Sequence, residues 1–161
     1  MQIFRVSPDP KVSAEFLDNH RLSKQVLELY QIIRVCLGEL DVIKTGPGYR
    51  HHPVVEAVYN NGKPYLWGAW ILLAAMNEEH MRRGGKRSEV FKKELEGLYD
   101  VVKKTDQTLS LSHEDLPPFY IEGEKRIYGG EAYQMYVKLL FDKWQHDKIP
   151  PRCDINLNNK A

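Results

Sequence analysis

One amphipathic stretch, residues 19–40, constrains the fold of this chain more than any other part of the sequence. Its apolar side chains recur at three- and four-residue spacing, at Leu22, Val26, Leu29, Ile33 and Leu37. That spacing puts them on one face of an α-helix, and another part of the chain must cover this face. The pattern therefore predicts a long helix facing a shared core. A shorter helix is expected before it, with Asp9 as N-cap and Pro10 as its first residue.

Four further helices are predicted: residues 53–59, Pro64 to about Arg83, residues 88–104, and Glu131–His146. In the helix over residues 88–104, Val90 is expected on the apolar side. Residues 2–6 predict a short strand or an extended arm, and residues 105–130 a long loop in which 119–121 can pair as a strand. We expect a mainly α fold: a single compact helical domain, residues 1–161, of about five to six helices with a long loop before the C-terminal helix and a polar tail from about residue 154.

Composition narrows the class of protein. The 161 residues suffice for one domain with a core, and 23 Lys and Arg against 22 Asp and Glu leave a net charge of +1. A near-neutral chain does not coat nucleic acid by charge alone, although a local basic patch stays possible. The longest apolar run, residues 65–76, is shorter than the ~20 residues of a membrane-spanning helix. With only Cys36 and Cys153 and no signal peptide, we expect a cytoplasmic protein without membrane association.

The polar stripe of the long predicted helix is the first candidate site. It comprises Arg21, Lys24, Gln25, Glu28 and Gln31, all within about 120° at 100° per residue. Glu28 lies one turn after Lys24, which is the spacing of an exposed salt bridge. The same spacing fits a carboxylate in a cleft, flanked by groups that bind an anionic substrate. Periodicity does not decide between the two interpretations.

Two further segments carry chemistry. In the loop over residues 45–53, Tyr49, Arg50, His51 and His52 could converge on a phosphate, or one histidine could cap the helix that Pro53 begins. Arg82, Arg83, Lys86 and Arg87 could complement a helix dipole or hold phosphates. If they form a patch, we expect acidic residues on the far side, with Glu114, Asp115, Glu122 and Glu124 as candidates. Cys36 is expected to be packed, and we find no zinc-site spacing, P-loop, GxSxG or GxGxxG motif.

Three segments together resemble the pyrimidine-dimer DNA glycosylase family, the phage endonuclease V-like enzymes. They are FLDNHRLSKQVLE at residues 16–28, YRHHP at residues 49–53 and MNEEHMRRG at residues 76–84. The resemblance covers roughly residues 1 to 85. It implies an all-helical domain that removes a base of a pyrimidine dimer and then cuts the strand, without metal or cofactor.

The resemblance also implies roles for individual residues. The nucleophile would be the N-terminal α-amine, which belongs here to Met1 because Gln2 is too large for efficient removal of the initiator. Glu28 matches the catalytic glutamate, and Arg21 or His20 a group that binds the DNA backbone. Gln31 falls where the phage relative has an arginine. The partner would be double-stranded DNA with a damaged or modified base, bound by a monomer, and the contact residues would be Arg21, Lys24, Gln25, Gln31, Arg50, His51 and His52.

The residues are chemically consistent with such a reaction. A free α-amine has an ordinary pKa of about 7.7–8.0, so a useful fraction is nucleophilic near neutral pH, unlike a lysine. Two other functions stay open: cleavage of an N-glycosidic bond in a different nucleoside or a hypermodified base, and a non-catalytic helical module that binds DNA or a partner. For DNA binding, we expect a local face built from Arg21, Lys24, Arg50 and His51, with residues 82–87 as a possible extension.

Overall fold

Six α-helices and one small antiparallel sheet make up the described part of the protein, which comprises residues 1–46, 48–109, 111 and 115–147 of a computed structural model. The helices are α1 (Pro10–Phe16), α2 (Asn19–Glu39), α3 (Pro53–Tyr59), α4 (Leu66–Arg82), α5 (Glu89–Thr108) and α6 (Glu131–His146). The strands β1 (Phe119–Glu122) and β2 (Lys125–Tyr128) form a hairpin before α6. The predicted mainly α fold is confirmed. Cys153, Glu114 and the polar tail from residue 154 lie outside the described residues.

Side-chain caps explain where several helices begin. Asp9 accepts a hydrogen bond from the Lys11 N–H at the start of α1, and Pro10 occupies the first helical position as predicted. Asp18 accepts from the Arg21 N–H at the start of α2, and Ser88 from the Phe91 N–H at the start of α5. These caps satisfy amide groups that have no partner within the helix.

The core forms where α2 packs against α4. The five apolar residues of the α2 face are fully buried, as their spacing predicts: Leu22, Val26, Leu29, Ile33 and Leu37. Cys36 is also buried as expected, and its burial raises the pKa of the thiol to about 12. In α4, Leu72, Leu73 and Met76 are buried, which confirms the predicted core helix. None of the helices in the described ranges combines the length and hydrophobicity that crossing a membrane requires.

Three details differ from the sequence expectation. α5 continues to Thr108, four residues beyond the predicted end, and its Val90 is 68% exposed rather than part of the apolar face. Val90 lies in the first turn of α5, ahead of the segment that meets the core at Leu95 and Leu98. β2 completes a hairpin in which only β1 was expected, and α4 begins at Leu66 rather than at Pro64.

A close approach joins the segment before β1 to α4. A Cβ on Gly68 would lie 2.5 Å from the backbone nitrogen of Leu116, so only glycine fits there without displacing the backbone. Leu116 also accepts a hydrogen bond from the Arg5 guanidinium at 2.7 Å. This segment therefore connects α4 with the N-terminal residues.

Candidate active site

The first six residues form an extended arm whose central residues lie in the interior of the molecule. Ile3, Phe4 and Arg5 are buried, although they belong to no regular strand. Gln25 of α2 holds the arm: its Oε1 accepts from the Phe4 N–H at 2.8 Å, and its Nε2 donates to the Gln2 carbonyl at 2.8 Å. The Gln25 amide group thus accepts from and donates to the backbone of the arm, as a neighbouring strand would, and fixes the arm against α2.

This arrangement corrects the sequence expectation for one residue of the polar stripe. Gln25 was expected on a polar surface, but it is only 2% exposed because the arm covers it. Both ends of its amide group are engaged by backbone groups. Gln25 therefore serves to place the N-terminus.

Glu28 lies one turn further along α2, beside the start of the arm. Its Oε2 accepts from the Gln2 backbone N–H at 3.0 Å, while its Oε1 lies 3.8 Å from the Lys24 ammonium. The Glu28 side chain is 16% exposed and that of Lys24 is 66% exposed. The carboxylate is thus held by the residue that follows Met1 and still has a side open to solvent.

A pocket of about 220 Å³ opens at this point. Its lining consists of the arm, α2 residues and one residue of α6: Met1, Gln2, Phe4, His20, Arg21, Lys24, Gln25, Glu28 and Lys143. The side chains of His20, Arg21, Lys24 and Lys143 can each carry positive charge, whereas Glu28 supplies the carboxylate. Such a lining favours an anionic ligand next to an amine and a carboxylate.

Arg21 is held in a fixed orientation. Its guanidinium bonds the Asp147 carboxylate at 2.7 and 3.1 Å and the Asp18 carboxylate at 3.2 Å. The hydrogen bond to Asp147 raises the pKa of Arg21, and the same bond lowers the pKa of Asp147. Lys24, by contrast, is mostly exposed, and its ammonium lies 3.8 Å from Glu28.

The loop before α3 brings one histidine close to the N-terminus. His52 caps α3, since its Nδ1 accepts from the Val54 N–H at 3.1 Å, so the capping interpretation describes this residue. A neutral ring that accepts at Nδ1 carries its proton on Nε2. Burial lowers the pKa of His52, and the N-terminal charge and Arg126 act in the same direction, opposed by Glu28. The bond from the Val54 N–H and the lowered pKa both favour the neutral form of His52.

The other predicted contact residues lie apart from the pocket lining. The Arg50 guanidinium bonds Glu39 at 2.7 Å, at the far end of α2 from Glu28. His51 is exposed on the same loop, after Tyr49, which adopts a positive φ of 65°. Gln31 is exposed on α2. The pocket thus brings together only part of the predicted DNA-contact set.

Three arginines of the basic cluster at the C-terminal end of α4 donate hydrogen bonds within the protein, while Arg82 and Lys86 are exposed. Glu79 is 7% exposed and accepts from both Arg82 and Arg83, and these bonds lower its pKa against the effect of burial. Arg83 also donates to the carbonyls of Ala14, Glu15 and Leu17, which end α1. Arg87 donates to the Ser23 carbonyl. We call Glu79, Arg82 and Arg83 the α4 clamp.

Sequence reasoning missed three residues at or beside the pocket: Glu122 of the hairpin, and Tyr136 and Lys143 of α6. Glu122 was expected on a face remote from the basic groups, but its carboxylate accepts from the Gln2 side chain beside the pocket. Tyr136 donates to the same side chain at 3.1 Å. No local pattern signals these contacts, because they join residues more than 100 positions apart.

The described residues hold no group of three or more His, Cys, Asp or Glu side chains that could bind a metal ion. Met1 and Glu28 thus line one pocket with several cationic side chains, and such a lining suits a phosphate-bearing ligand.

Comparison with known proteins identifies the family. The family model for pyrimidine dimer DNA glycosylases matches residues 1–93, which is more than half of the chain. The protein belongs to the pyrimidine dimer DNA glycosylase family, so it is a DNA-repair enzyme whose substrate is DNA. The matched segment includes the arm, α1 to α4 and the start of α5, whereas the hairpin and α6 lie beyond it. Neither curated proteins nor solved structures gave a match.

Proposed function

We propose that this protein excises a base of a pyrimidine dimer and then cuts the DNA strand as an AP lyase, using the Met1 α-amine as nucleophile and Glu28 as acid and base. The observation that carries the proposal is the hydrogen bond from the Gln2 N–H to Glu28 at 3.0 Å. Met1 directly precedes that amide and lines the same pocket as Glu28, which supports a shared role of the two groups.

The proposed reaction has two stages. The neutral amine attacks C1′ of the sugar, the glycosidic C–N bond breaks, and the bonding electrons leave with the base, which takes up a proton. The nitrogen then loses a proton, the C1′–O4′ bond breaks while O4′ takes up a proton, and the nitrogen lone pair forms the C1′=N bond of the imine. Glu28 then removes a proton from C2′, and the electrons of that C–H bond expel the 3′ phosphate in a β-elimination. Hydrolysis of the imine restores the amine.

Glu28 and the cations at the pocket act on different parts of the substrate: the carboxylate on the sugar, and the cations on the phosphates. The carboxylate stabilises positive charge that develops on the sugar before it accepts the C2′ proton. Lys24, His20 and Lys143 are suited to hold the flanking phosphates. Arg21, fixed by Asp18 and Asp147, supports the pocket wall and presents positive charge. Extrusion of a damaged base costs less than extrusion of a paired one, which favours lesion sites.

Borohydride trapping tests the mechanism. Protein with a free N-terminus is mixed with duplex DNA containing a cyclobutane pyrimidine dimer, the imine is reduced, and the linked peptide is identified by mass spectrometry. We expect one covalent adduct, on the Met1 nitrogen. The matched control is the same chain extended by a short N-terminal peptide, which converts the Met1 amine to an amide and should abolish the adduct.

An adduct on a lysine, or equal trapping by the extended chain, would overturn the role of Met1. The substrate is tested separately with a panel of modified duplexes and free nucleosides. We expect base release from the dimer-containing duplex, and release only from another nucleoside would replace the proposed substrate while leaving the imine mechanism intact.

A further inference from the structure

We propose that Gln2 is a positioning residue that orients the Met1 amine toward Glu28 through a tether to the β1–β2 hairpin and α6. This inference rests on the proposed imine mechanism and adds to it a part of the chain outside the family-matched segment. It assigns Gln2, Glu122 and Tyr136 to the machinery that places the nucleophile.

Every polar group of Gln2 has its own partner. The backbone N–H donates to Glu28 at 3.0 Å, and the backbone carbonyl accepts from Gln25 at 2.8 Å. The side-chain Nε2 donates to the Glu122 carboxylate, and the side-chain Oε1 accepts from the Tyr136 hydroxyl at 3.1 Å. Gln2 is thereby connected to α2, the hairpin and α6 at once.

Tyr136 is a rigid partner in this network. It is fully buried and packs edge to face against Phe4 and Tyr120, with ring centroids 5.6 and 4.8 Å away. Burial raises the pKa of Tyr136, so the hydroxyl keeps its proton and remains a donor. The position of the Gln2 amide group is therefore determined by the core.

The consequence concerns the freedom of the amine. An N-terminal residue has no preceding chain, so its amine is located only by the residue that follows it. With the backbone and side chain of Gln2 both fixed, the remaining freedom is rotation within Met1. A displacement of about 1 Å between reacting groups can cost on the order of 100-fold in rate. Four hydrogen bonds on Gln2 are suited to prevent such a displacement.

Gln2→Met is the principal test. Methionine has nearly the size of glutamine and no polar group, and it is too large to promote removal of Met1. Two quantities are compared: the single-turnover rate of imine trapping at saturating dimer-containing duplex, and the Kd for the same duplex. We expect imine formation to slow by about 10-fold or more, while the Kd for DNA stays as in wild type.

The hairpin provides the matched variants. Glu122→Ala removes the acceptor and should slow the imine step, whereas Glu122→Gln keeps a carbonyl acceptor and should restore most of the rate. The double variant Gln2→Met/Glu122→Ala should be no slower than Gln2→Met alone, because both changes break the same bond. Glu124→Ala, an exposed carboxylate next along the hairpin, serves as the surface control and should trap at the wild-type rate.

Each result counts for or against the inference. If wild type forms no adduct on Met1, the proposed function fails and Gln2 has no nucleophile to position. If wild type traps on Met1 and Gln2→Met traps at the same rate, the mechanism stands and the positioning role is refuted. Should Gln2→Met unfold, Tyr136→Phe takes its place, since it removes only the hydroxyl, and an unchanged imine rate there would equally refute the role.

Discussion

Two carboxylates on neighbouring core helices, Glu28 of α2 and Glu79 of α4, look alike in the sequence and differ in the fold. Each has cations one turn away, Lys24 for Glu28 and Arg82 with Arg83 for Glu79. Glu79 is buried and both its oxygens accept guanidinium N–H groups at 2.7 to 2.9 Å. Glu28 accepts one backbone N–H, and its nearest ammonium is 3.8 Å away beside an open pocket.

The contrast separates a carboxylate whose oxygens are all engaged by arginines from one that is only partly engaged. A carboxylate whose lone pairs are saturated by fixed arginines joins chain segments and has little capacity left for a substrate. A carboxylate that is held in place but only partly engaged can still accept a proton or stabilise a cation. The predictions below separate these two roles.

The largest expected effect concerns Glu28. Glu28→Gln keeps the side-chain size and an oxygen that can accept from the Gln2 N–H, so the fold should persist. Loss of the acid and base should slow strand cleavage by about 10²- to 10⁴-fold in a single-turnover assay. A variant with wild-type cleavage would show that Glu28 is an ordinary surface ion pair.

Arg83 of the α4 clamp should affect stability instead. Arg83→Met leaves the buried Glu79 with one partner fewer and breaks the bonds to the end of α1, so we expect a loss of about 3 kcal/mol in the free energy of unfolding. Urea unfolding monitored by circular dichroism measures this change. Arg82→Met, which removes the more exposed partner of the same carboxylate, is the matched control and should lose clearly less.

Lys24 offers a smaller effect, on DNA binding. Lys24→Met removes the exposed cation of the pocket without touching its fold. If Lys24 contacts a phosphate, the slope of log K against log salt should fall in magnitude by about 0.9. Lys103→Met, an exposed lysine on α5, should leave the slope unchanged. Equal slopes for wild type and Lys24→Met would contradict the contact.

The smallest expected effect is a pH dependence of the free energy of unfolding, caused by His80, which lies next to the α4 clamp. His80 has a buried Nδ1 without a hydrogen-bond partner, and burial, with Arg87 and Arg83, lowers the pKa of its ring. In the unfolded chain the ring binds a proton near pH 6.5. Because the unfolded state then binds more protons, the free energy of unfolding should fall as the pH drops below about 6.5. His80→Phe should make that dependence shallower, and an unchanged pH dependence would refute this assignment.

The sequence predicts most of the helices, because each helix depends on the spacing of apolar residues and on capping residues close by in the chain. Spacing of Leu22, Val26 and Leu29 identifies α2, and Asp9 with Pro10 identifies the start of α1. The state of Glu28 was not predictable, since a surface salt bridge and a cleft carboxylate share the same spacing. The burial of Gln25 depends on the arm, and the place of Glu122 depends on a hairpin, which are long-range effects that local periodicity does not contain.

The N-terminal arm also has a consequence for the synthesis of the protein. Its contacts reach across the chain, since Gln2 bonds Glu122 and Tyr136. During translation these early residues leave the ribosome long before their partners exist. We expect a chain still attached to the ribosome to leave its N-terminal residues unplaced until α6 has emerged and packed.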